Sequence, residues 1–599
     1  MPQPTNKLSQ FWQELKRRKV VRVIAMYAAT AFIIMEAGEI MLPRLGLPDW
    51  TVTFIIILLI LGFPITIILS WIFDITPEGI KKTEPVKVVK EKQAGAKPTK
   101  RKLRASDLII AVLVAVVCIL FYPKIFNKGK VIELEKSIAV LPFRNESSDE
   151  ENTYFINGTM LAILDNLCKI EDLRVPGRHS VEQYRNNLKP IPEIANELNV
   201  SYILAGSGQK LGDRILLTIQ LLDGINDKLL WSKPYDREIR IVEDMIDIQS
   251  EVAQLVAAEI EAVITLEEKE LIEKIPTKNL DAYEYYLLGQ HYINNFSQDE
   301  DFWRAIEYYQ QALDLDSTYA LAYLGLADVY CQLTDFAILS PNEGYPKAKA
   351  YAIKASEFNE ELGIAHCFLG RVKEYFEYDF TGAEREYIRA LEINSNNSII
   401  HQYYAFYLSM MGRHDEAISH ANRSLEIDPL SYFSMTSKYH ALFYAGHKSE
   451  ALELAEEASD SYPDNPYIYW TCAVFYTDLG MFNEALSTLQ TQITLMETEN
   501  ISDEIGLLGY IYGQLDQIDK AQEQLTKLDE LNSKGIYVSP RTRVRVYLGL
   551  NDLEKAIEIL EKASEDHSID PYSFRGFPHE NLRSNPRFIE LMRKVGLKE

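Results

Sequence analysis

The sequence predicts a multidomain chain in three parts: an α-helical transmembrane region, a small α/β domain and an all-α solenoid of helical repeats. Three observations carry this reading. Long apolar runs are confined to the first 126 residues. Residues 136–263 alternate short strand-like stretches with amphipathic ones, and from residue 281 onward small residues recur at a spacing near 34. A chain of 599 residues has room for several domains, each able to bury its own core.

Charge divides the chain unevenly. The formal net charge of −25 resolves into +9 over residues 1–106 and −34 beyond them. An acidic body repels phosphate backbones, so nucleic acid is not expected as its partner. Most of its carboxylates read as solvated helix faces. Cys118, Cys168, Cys331, Cys367 and Cys472 form no CxxC pair and have no His at ligand spacing, so no metal site is expected. Cys331 and Cys367 fall on neighbouring repeats, where buried free thiols and a disulfide are both open readings.

Residues 1–19 form a basic amphipathic segment with Phe11, Trp12 and Leu15 on its apolar side. Residues 20–73 read as a two-span transmembrane hairpin, since each arm is long enough for a bilayer core of about 30 Å at roughly 1.5 Å per residue. The apolar run is too long for a cleavable signal. Lys7, Lys16, Arg17, Arg18, Lys19 and Arg22 precede the first span, and Arg44 alone lies in the turn, which predicts a cytoplasmic amino terminus. Glu36 and Glu39 share a face late in the first span. They are candidate intramembrane polar residues, open to a sensing or proton-linked role, to pairing with Arg44, or to helix pairing and interfacial exposure, since both lie within two turns of the outer end.

Two stretches here, ELKRRKVVRVIAMYAATAFIIMEAGEIMLPRLGLPDW and LGFPITIILSWIFDITPEGIKK, resemble a two-span amino-terminal module of bacterial proteins that also carry tetratricopeptide repeats. The resemblance covers roughly residues 12–82 and supplies no biochemical activity. Residues 74–106 hold ten Lys/Arg with Pro and Gly, the composition of a flexible basic cytoplasmic linker that favours anionic lipid. Residues 107–126, centred on LIIAVLVAVVCILFY, read as a third transmembrane helix. Their approach is more basic than their exit, which sends the carboxyl-terminal body outward. The expectation is a bacterial inner-membrane protein with a periplasmic body.

In residues 136–263, SIAVLP is a buried-strand signal and a helix follows over 152–169. A short strand at 173–176 and helical stretches around 179–199 come next. Segments 202–209, 214–222 and 228–235 read as an antiparallel meander, closed by a helix over 242–263. Gly206-Ser207-Gly208 precedes a strand and no GK[ST] follows, so it reads as a bend or bulge and not a phosphate loop. Ser180, beside Arg178 and His179, reads as a helix start because no third catalytic group is in view. The stretches SIAVLPFRNESSDEENTYFINGTM and LNVSYILAGSGQKLGDRILLTIQLLDGINDKLLWSKPYDR resemble the TolB amino-terminal-like domain. Related segments occur beside tetratricopeptide repeats in some class III adenylate cyclases and CadC-type membrane regulators. This chain shows neither a cyclase nor a winged-helix domain, so neither activity carries over.

The small residues Ala305, Ala348, Ala383, Ala417, Ala451, Ala485, Ala521 and Ala556 are spaced by 43, 35, 34, 34, 34, 36 and 35. Seven residues on, Ala312, Ala355, Ala390, Ser424, Ala458 and Ala563 repeat the pattern. Two helices cross closely only where side chains are small, so this is a packing signal. It resembles an array of about eight tetratricopeptide repeats over residues 281–567, with an inserted loop in the second and a carboxyl-terminal cap over 568–599. Such arrays usually take a peptide or partner helix on the face lined by the first helix of each repeat. Tyr323, Tyr330, Tyr403 and Tyr407 are candidates for that lining, or for packing between helices.

No paired-carboxylate motif, HExxH, GxSxG or P-loop is present. The sequence thus predicts no catalytic residues, no cofactor and no enzyme. It predicts a membrane-anchored scaffold binding a protein or peptide in the repeat groove, in envelope organisation or signalling. The alternative is a transmembrane regulator whose outer domains act on a cytoplasmic effector. Lipid is an expected contact, and the oligomeric state stays open.

Overall fold

The computed structural model describes residues 136–147, 152–186, 189–294, 299–496, 500–575 and 580–597, positions within 20–34 and 59–70, and residues 73–76 and 79–82. The chain divides into two compact units, Met1–Phe126 and Asn127–Glu599.

In the first unit the described residues within 20–34 and 59–70 are helical. Tyr27 Oη donates to the Leu59 carbonyl at 2.6 Å, and its ring centroid lies 5.6 Å from that of Phe63. Strands β1 (Phe73–Thr76) and β2 (Gly79–Lys82) then pair as an antiparallel ribbon at the start of the segment read as linker. Among the described residues, no helix is long and apolar enough to cross a membrane. This overturns the transmembrane part of the expected fold class and, with it, the multi-pass inner-membrane placement with a periplasmic body. The described helical positions fall within 20–34 and 59–70, whereas a bilayer core requires roughly 20 consecutive apolar helical residues. Phe73, the last residue of the expected second span, is already extended. Glu36, Glu39 and the expected third span over 107–126 lie outside the described residues.

The second unit opens with a five-stranded sheet. Strands β3 (Ile138–Val140) and β4 (Arg144–Asn145) run parallel to β5 (Tyr202–Leu211). The last is joined in an antiparallel meander to β6 (Arg214–Asp223) and β7 (Lys228–Glu238). Alternation sets the faces, and Ile215, Leu217, Ile219 and Leu221 of β6 are all buried. The expected bend at 206–208 is absent: Gly206 pairs with Ile219 and Gly208 with Leu217 in unbroken register, and the irregularity falls between Leu221 and Leu222. Glycine serves there for close packing, since a Cβ on Gly206 would lie 2.8 Å from the Phe143 ring. Helices α1 (Thr153–Cys168), α2 (Arg178–Glu182), α3 (Ile191–Glu197), α4 (Val242–Glu259) and α5 (Leu266–Glu273) complete the domain.

Sixteen helices follow in eight pairs. They are α6 and α7 (Leu280–Asn294, Asp299–Leu315), α8 and α9 (Ala320–Asp335, Pro341–Phe358), α10 and α11 (Gly363–Tyr375, Phe380–Ile393), and α12 and α13 (Ser398–Met410, His414–Ile427). Next come α14 and α15 (Tyr432–Tyr444, Lys448–Ser461), α16 and α17 (Pro466–Asp478, Phe482–Leu495), α18 and α19 (Ser502–Gln514, Ile518–Ser533), and α20 and α21 (Pro540–Gly549, Leu553–Glu565). The eight alanines that set the period all lie on the second helix of a pair, and each is fully buried. The turn inside each pair from the second to the eighth holds one residue with positive φ: Ala337, Tyr378, Gly412, Gly446, Gly480, Asp516 and Asn551. Glycine takes three of these seven positions because a side chain is disfavoured there. The 43-residue interval is only partly a loop. Its residues from Pro341 on form the first turns of α9, with Ser340 and Glu343 as a capping box.

Short helices α22 (Pro571–Arg575), α23 (Glu580–Arg583) and α24 (Pro586–Lys594) end the described chain. Arg587 of α24 grips Glu554 and Glu561 of α21, and Phe588 and Leu591 are buried beneath it.

The α/β domain and the first repeats share one core, which runs from Ile138 to Ala322. Tyr309 in α7 is fully buried, and its hydroxyl has no hydrogen-bond partner among the described residues. An unsatisfied buried hydroxyl costs about 1–3 kcal/mol. Tyr309→Phe is therefore expected to raise the melting temperature of the full chain; a lower value would show that the hydroxyl is bonded in solution.

Candidate functional site

The first helices of the pairs converge on a common inner face because the array curls back on itself. The turn of the second repeat reaches the sixth and seventh: Phe336 packs 5.8 Å from Tyr467, and Asn500 Nδ2 donates to the Ala337 carbonyl at 3.2 Å. Of the four candidate tyrosines, Tyr323 and Tyr330 on α8 are buried and stack on Tyr351 at 6.2 and 5.7 Å. Tyr407 on α12 is also buried and donates to the Phe380 carbonyl at 2.9 Å. Tyr403, four residues before it, keeps partial exposure. Its ring lies 4.2 Å from the Arg371 guanidinium, whose Nη1 donates to its hydroxyl at 3.1 Å.

Sequence reasoning missed the charged groups of this face. Arg371 is almost fully buried and also donates to Asp335. Burial opposes its charge, but Asp335 and the surrounding phenols hold it firmly protonated. One turn away, Glu374 is fully buried and accepts from Tyr387 at 2.6 Å and from Tyr572 at 3.0 Å. Burial pushes its carboxyl up to about 8, against those two hydrogen bonds and Arg371. In the eighth repeat Arg541 bonds Asp503 and lies 3.4 Å from Asp570. Arg545 lies 5.4 Å from the Trp470 ring, and burial and Arg541 lower its pKa to about 10. No spacing rule marks these residues, because they come from five repeats and Glu374 meets Tyr572 only through the curl of the array.

The α/β domain is fastened to the same array. Ser180 is fully buried in α2, where its Oγ accepts from the Leu430 amide at 2.8 Å. The adjacent His179 ring lies 5.1 Å from Phe433. Asp428 faces Gly177 so closely that a Cβ there would meet its Oδ2 at 2.5 Å. Burial raises the Asp428 pKa to about 6, against hydrogen bonds from Ser180, Gly177 and Ser431. Cys331 and Cys367 are buried free thiols. Among the described residues, no group of three or more His, Cys, Asp or Glu is placed to hold a metal.

Residues 134–255 match the family described as HilA/YgeH-like transcriptional regulator, second domain. Residues 505–534 and 543–565 match the tetratricopeptide repeat. The chain is 32% identical over 200 residues to "Putative adenylate cyclase 3" of Rhizobium meliloti (strain 1021), covering 33% of each protein. It is 23% identical over 314 residues to "Transcriptional regulator HilA" of Salmonella paratyphi A (strain ATCC 9150 / SARB42), covering 52% of this chain and 55% of that one. It thus spans a third to about half the length of these relatives. Among solved structures, a tetratricopeptide repeat protein from Parabacteroides merdae ATCC 43184 is 14% identical with a TM-score of 0.33, covering 45% of this chain and 100% of the other. The chain carries tetratricopeptide repeats and is similar to HilA-like regulators over its α/β domain.

Proposed function

We propose that this chain is a non-enzymatic regulatory scaffold whose repeat array takes a protein or peptide partner on its inner face. The α/β domain, fixed to the array, reports that occupancy to an effector. Tetratricopeptide repeats bind protein or peptide partners, which supports the first half. The observation that carries the second is the fastening of Gly177, His179 and Ser180 to Asp428, Leu430 and Phe433. A change in array curvature must move or break that junction. The regulatory character of the matched HilA-like domain and the TolB-like resemblance of residues 136–263 support the same reading.

Tyr403 is assigned the partner contact because it alone of the four tyrosines keeps partial exposure. Tyr323, Tyr330 and Tyr407 are buried in the packing between helices. A photo-crosslinking residue at position 403 of the full chain is expected to capture one protein in vivo. The same residue at the exposed Ile225 of the β6–β7 turn should not capture it. Equal adducts from both positions, or none from 403, would overturn the assignment.

A further inference from the structure

After α21 the chain abandons regular structure for residues 566–570 and crosses to the third repeat, about 190 positions earlier in sequence. His567 Nδ1 donates to the Phe376 carbonyl at 2.6 Å, and Tyr378 Oη donates to the Ile569 carbonyl at 2.6 Å. The His567 ring lies between Phe376 and Tyr378, with centroids at 5.6 and 4.9 Å. Tyr572 follows, 5.1 Å from Tyr375 and 6.5 Å from Phe406, with its hydroxyl on Glu374. Asn342 Nδ2 adds a bond to the Asp566 carbonyl at 2.8 Å. Side chains of the second and third repeats thus hold the main-chain carbonyls of this turn segment, and aromatic rings pack around its side chains.

The receiving wall is strained where it grips. Tyr378 has φ +55 at the turn position that glycine fills in the fourth, fifth and sixth repeats. A bulky residue there carries a backbone cost of order 1–3 kcal/mol that persists only when something else holds it. The Tyr378 side chain contributes to that hold through the Ile569 carbonyl and the His567 ring. His567 shares the strain, with φ +56.

We propose that the wall formed by Glu374, Tyr375, Phe376, Tyr378 and Phe406 is a peptide-binding site occupied in cis by residues 566–572. The external ligand it takes is a peptide of the same chemistry: an imidazole or aromatic ring, a free carbonyl two residues on and a tyrosine five residues on. The proposal rests on the reading of the array as a partner-binding scaffold and adds its ligand and its competitor. A partner with that pattern must displace the chain's own segment, so its affinity is reduced by the fraction of chains in which the wall is vacant.

The probe is a fluorescein-labelled peptide of residues 566–575, DHSIDPYSFR, titrated by anisotropy into the full-length chain. Tyr572→Ala removes the aromatic anchor of the cis segment, weakening its hold, and leaves the wall; it should bind the peptide at least about tenfold tighter than the unsubstituted chain. Adding Tyr378→Gly, which relieves backbone strain while removing the grip, should abolish that gain. A reordered peptide should bind neither. Equal affinity for the unsubstituted chain and Tyr572→Ala, with melting temperatures preserved, would overturn the proposal. Should Tyr572→Ala fail to fold, hydrogen exchange on the unsubstituted chain decides: saturating peptide must speed exchange at residues 566–572, and unchanged exchange refutes cis occupancy. A protein adduct at Tyr403 that survives such a failure would leave the scaffold reading standing.

Discussion

Gly325→Val is expected to unfold the first two repeats at a temperature well below the rest of the chain. Tyr309 projects from α7 between α6 and α8, and two glycines make room for its ring. A Cβ on Gly289 would lie 2.5 Å from Tyr309 Cε1, and one on Gly325 would lie 2.5 Å from its Cζ. Valine adds two methyls beyond that Cβ, and the ring, fully buried, has no free volume to enter. Overpacking of this kind typically costs 1–3 kcal/mol, and this site belongs at about the upper figure or above it. Tyr309 packs in a core of the first repeats that runs from Ile293 to Val372 and is distinct from the core of the α/β domain, so the loss should stay with the repeats. Tyr309→Ala opens the space that valine needs, and the double variant should be more stable than the two single changes predict by at least about 1 kcal/mol. Denaturant titration of the four chains gives the coupling, and simple additivity would mean that the ring and the glycine do not meet.

Gly325 also shows what a sequence can and cannot disclose. Helix period and close crossings are local, so the alanines from Ala305 to Ala556 marked the second helix of every pair. The wedge of Tyr309 between two glycines is not local: it needs three helices at once. The same holds for the inner face. Tyr403 was visible as an aromatic at the right register, but Arg371, Glu374 and Tyr572 gain their meaning from a curl that brings residue 572 to residue 374. The insert of the second repeat, TDFAILSPNEGYPKA, read as a loop because the interval there is 43 residues where the others are near 34. Its Pro341 instead takes the first turn of α9, where proline is tolerated. Apolar length misled in the other direction, because a run of hydrophobic residues sets where helix is possible and not where it ends.

Glu374→Gln should stabilise the chain, and by an amount that depends on pH in a defined window. Glu374 is fully buried, with a carboxyl raised from 4.5 to about 8, so folding favours its neutral form. The sign follows from proton binding. Above pH 4.5 the unfolded chain releases this proton while the folded chain keeps it, so stability from this group falls as pH rises and levels off only above about 8. Each pH unit in the window is worth about 1.4 kcal/mol, which amounts to roughly 3 kcal/mol at neutral pH. Glutamine cannot ionise, and it can still accept from one of Tyr387 and Tyr572 while donating to the other. The stability difference between variant and parent should therefore be near zero at pH 4.5, grow through pH 6 and 7, and reach a plateau above pH 8. Arg371 and Asp570 are the other charges that act on this carboxyl. Both stay in place in the variant, so paired denaturation curves across pH isolate the single group. A difference independent of pH would mean that Glu374 is ionised in the folded chain, with its two tyrosine donors outweighing burial. In that case the variant should lose the grip on Tyr572 and release residues 566–572 from the third repeat.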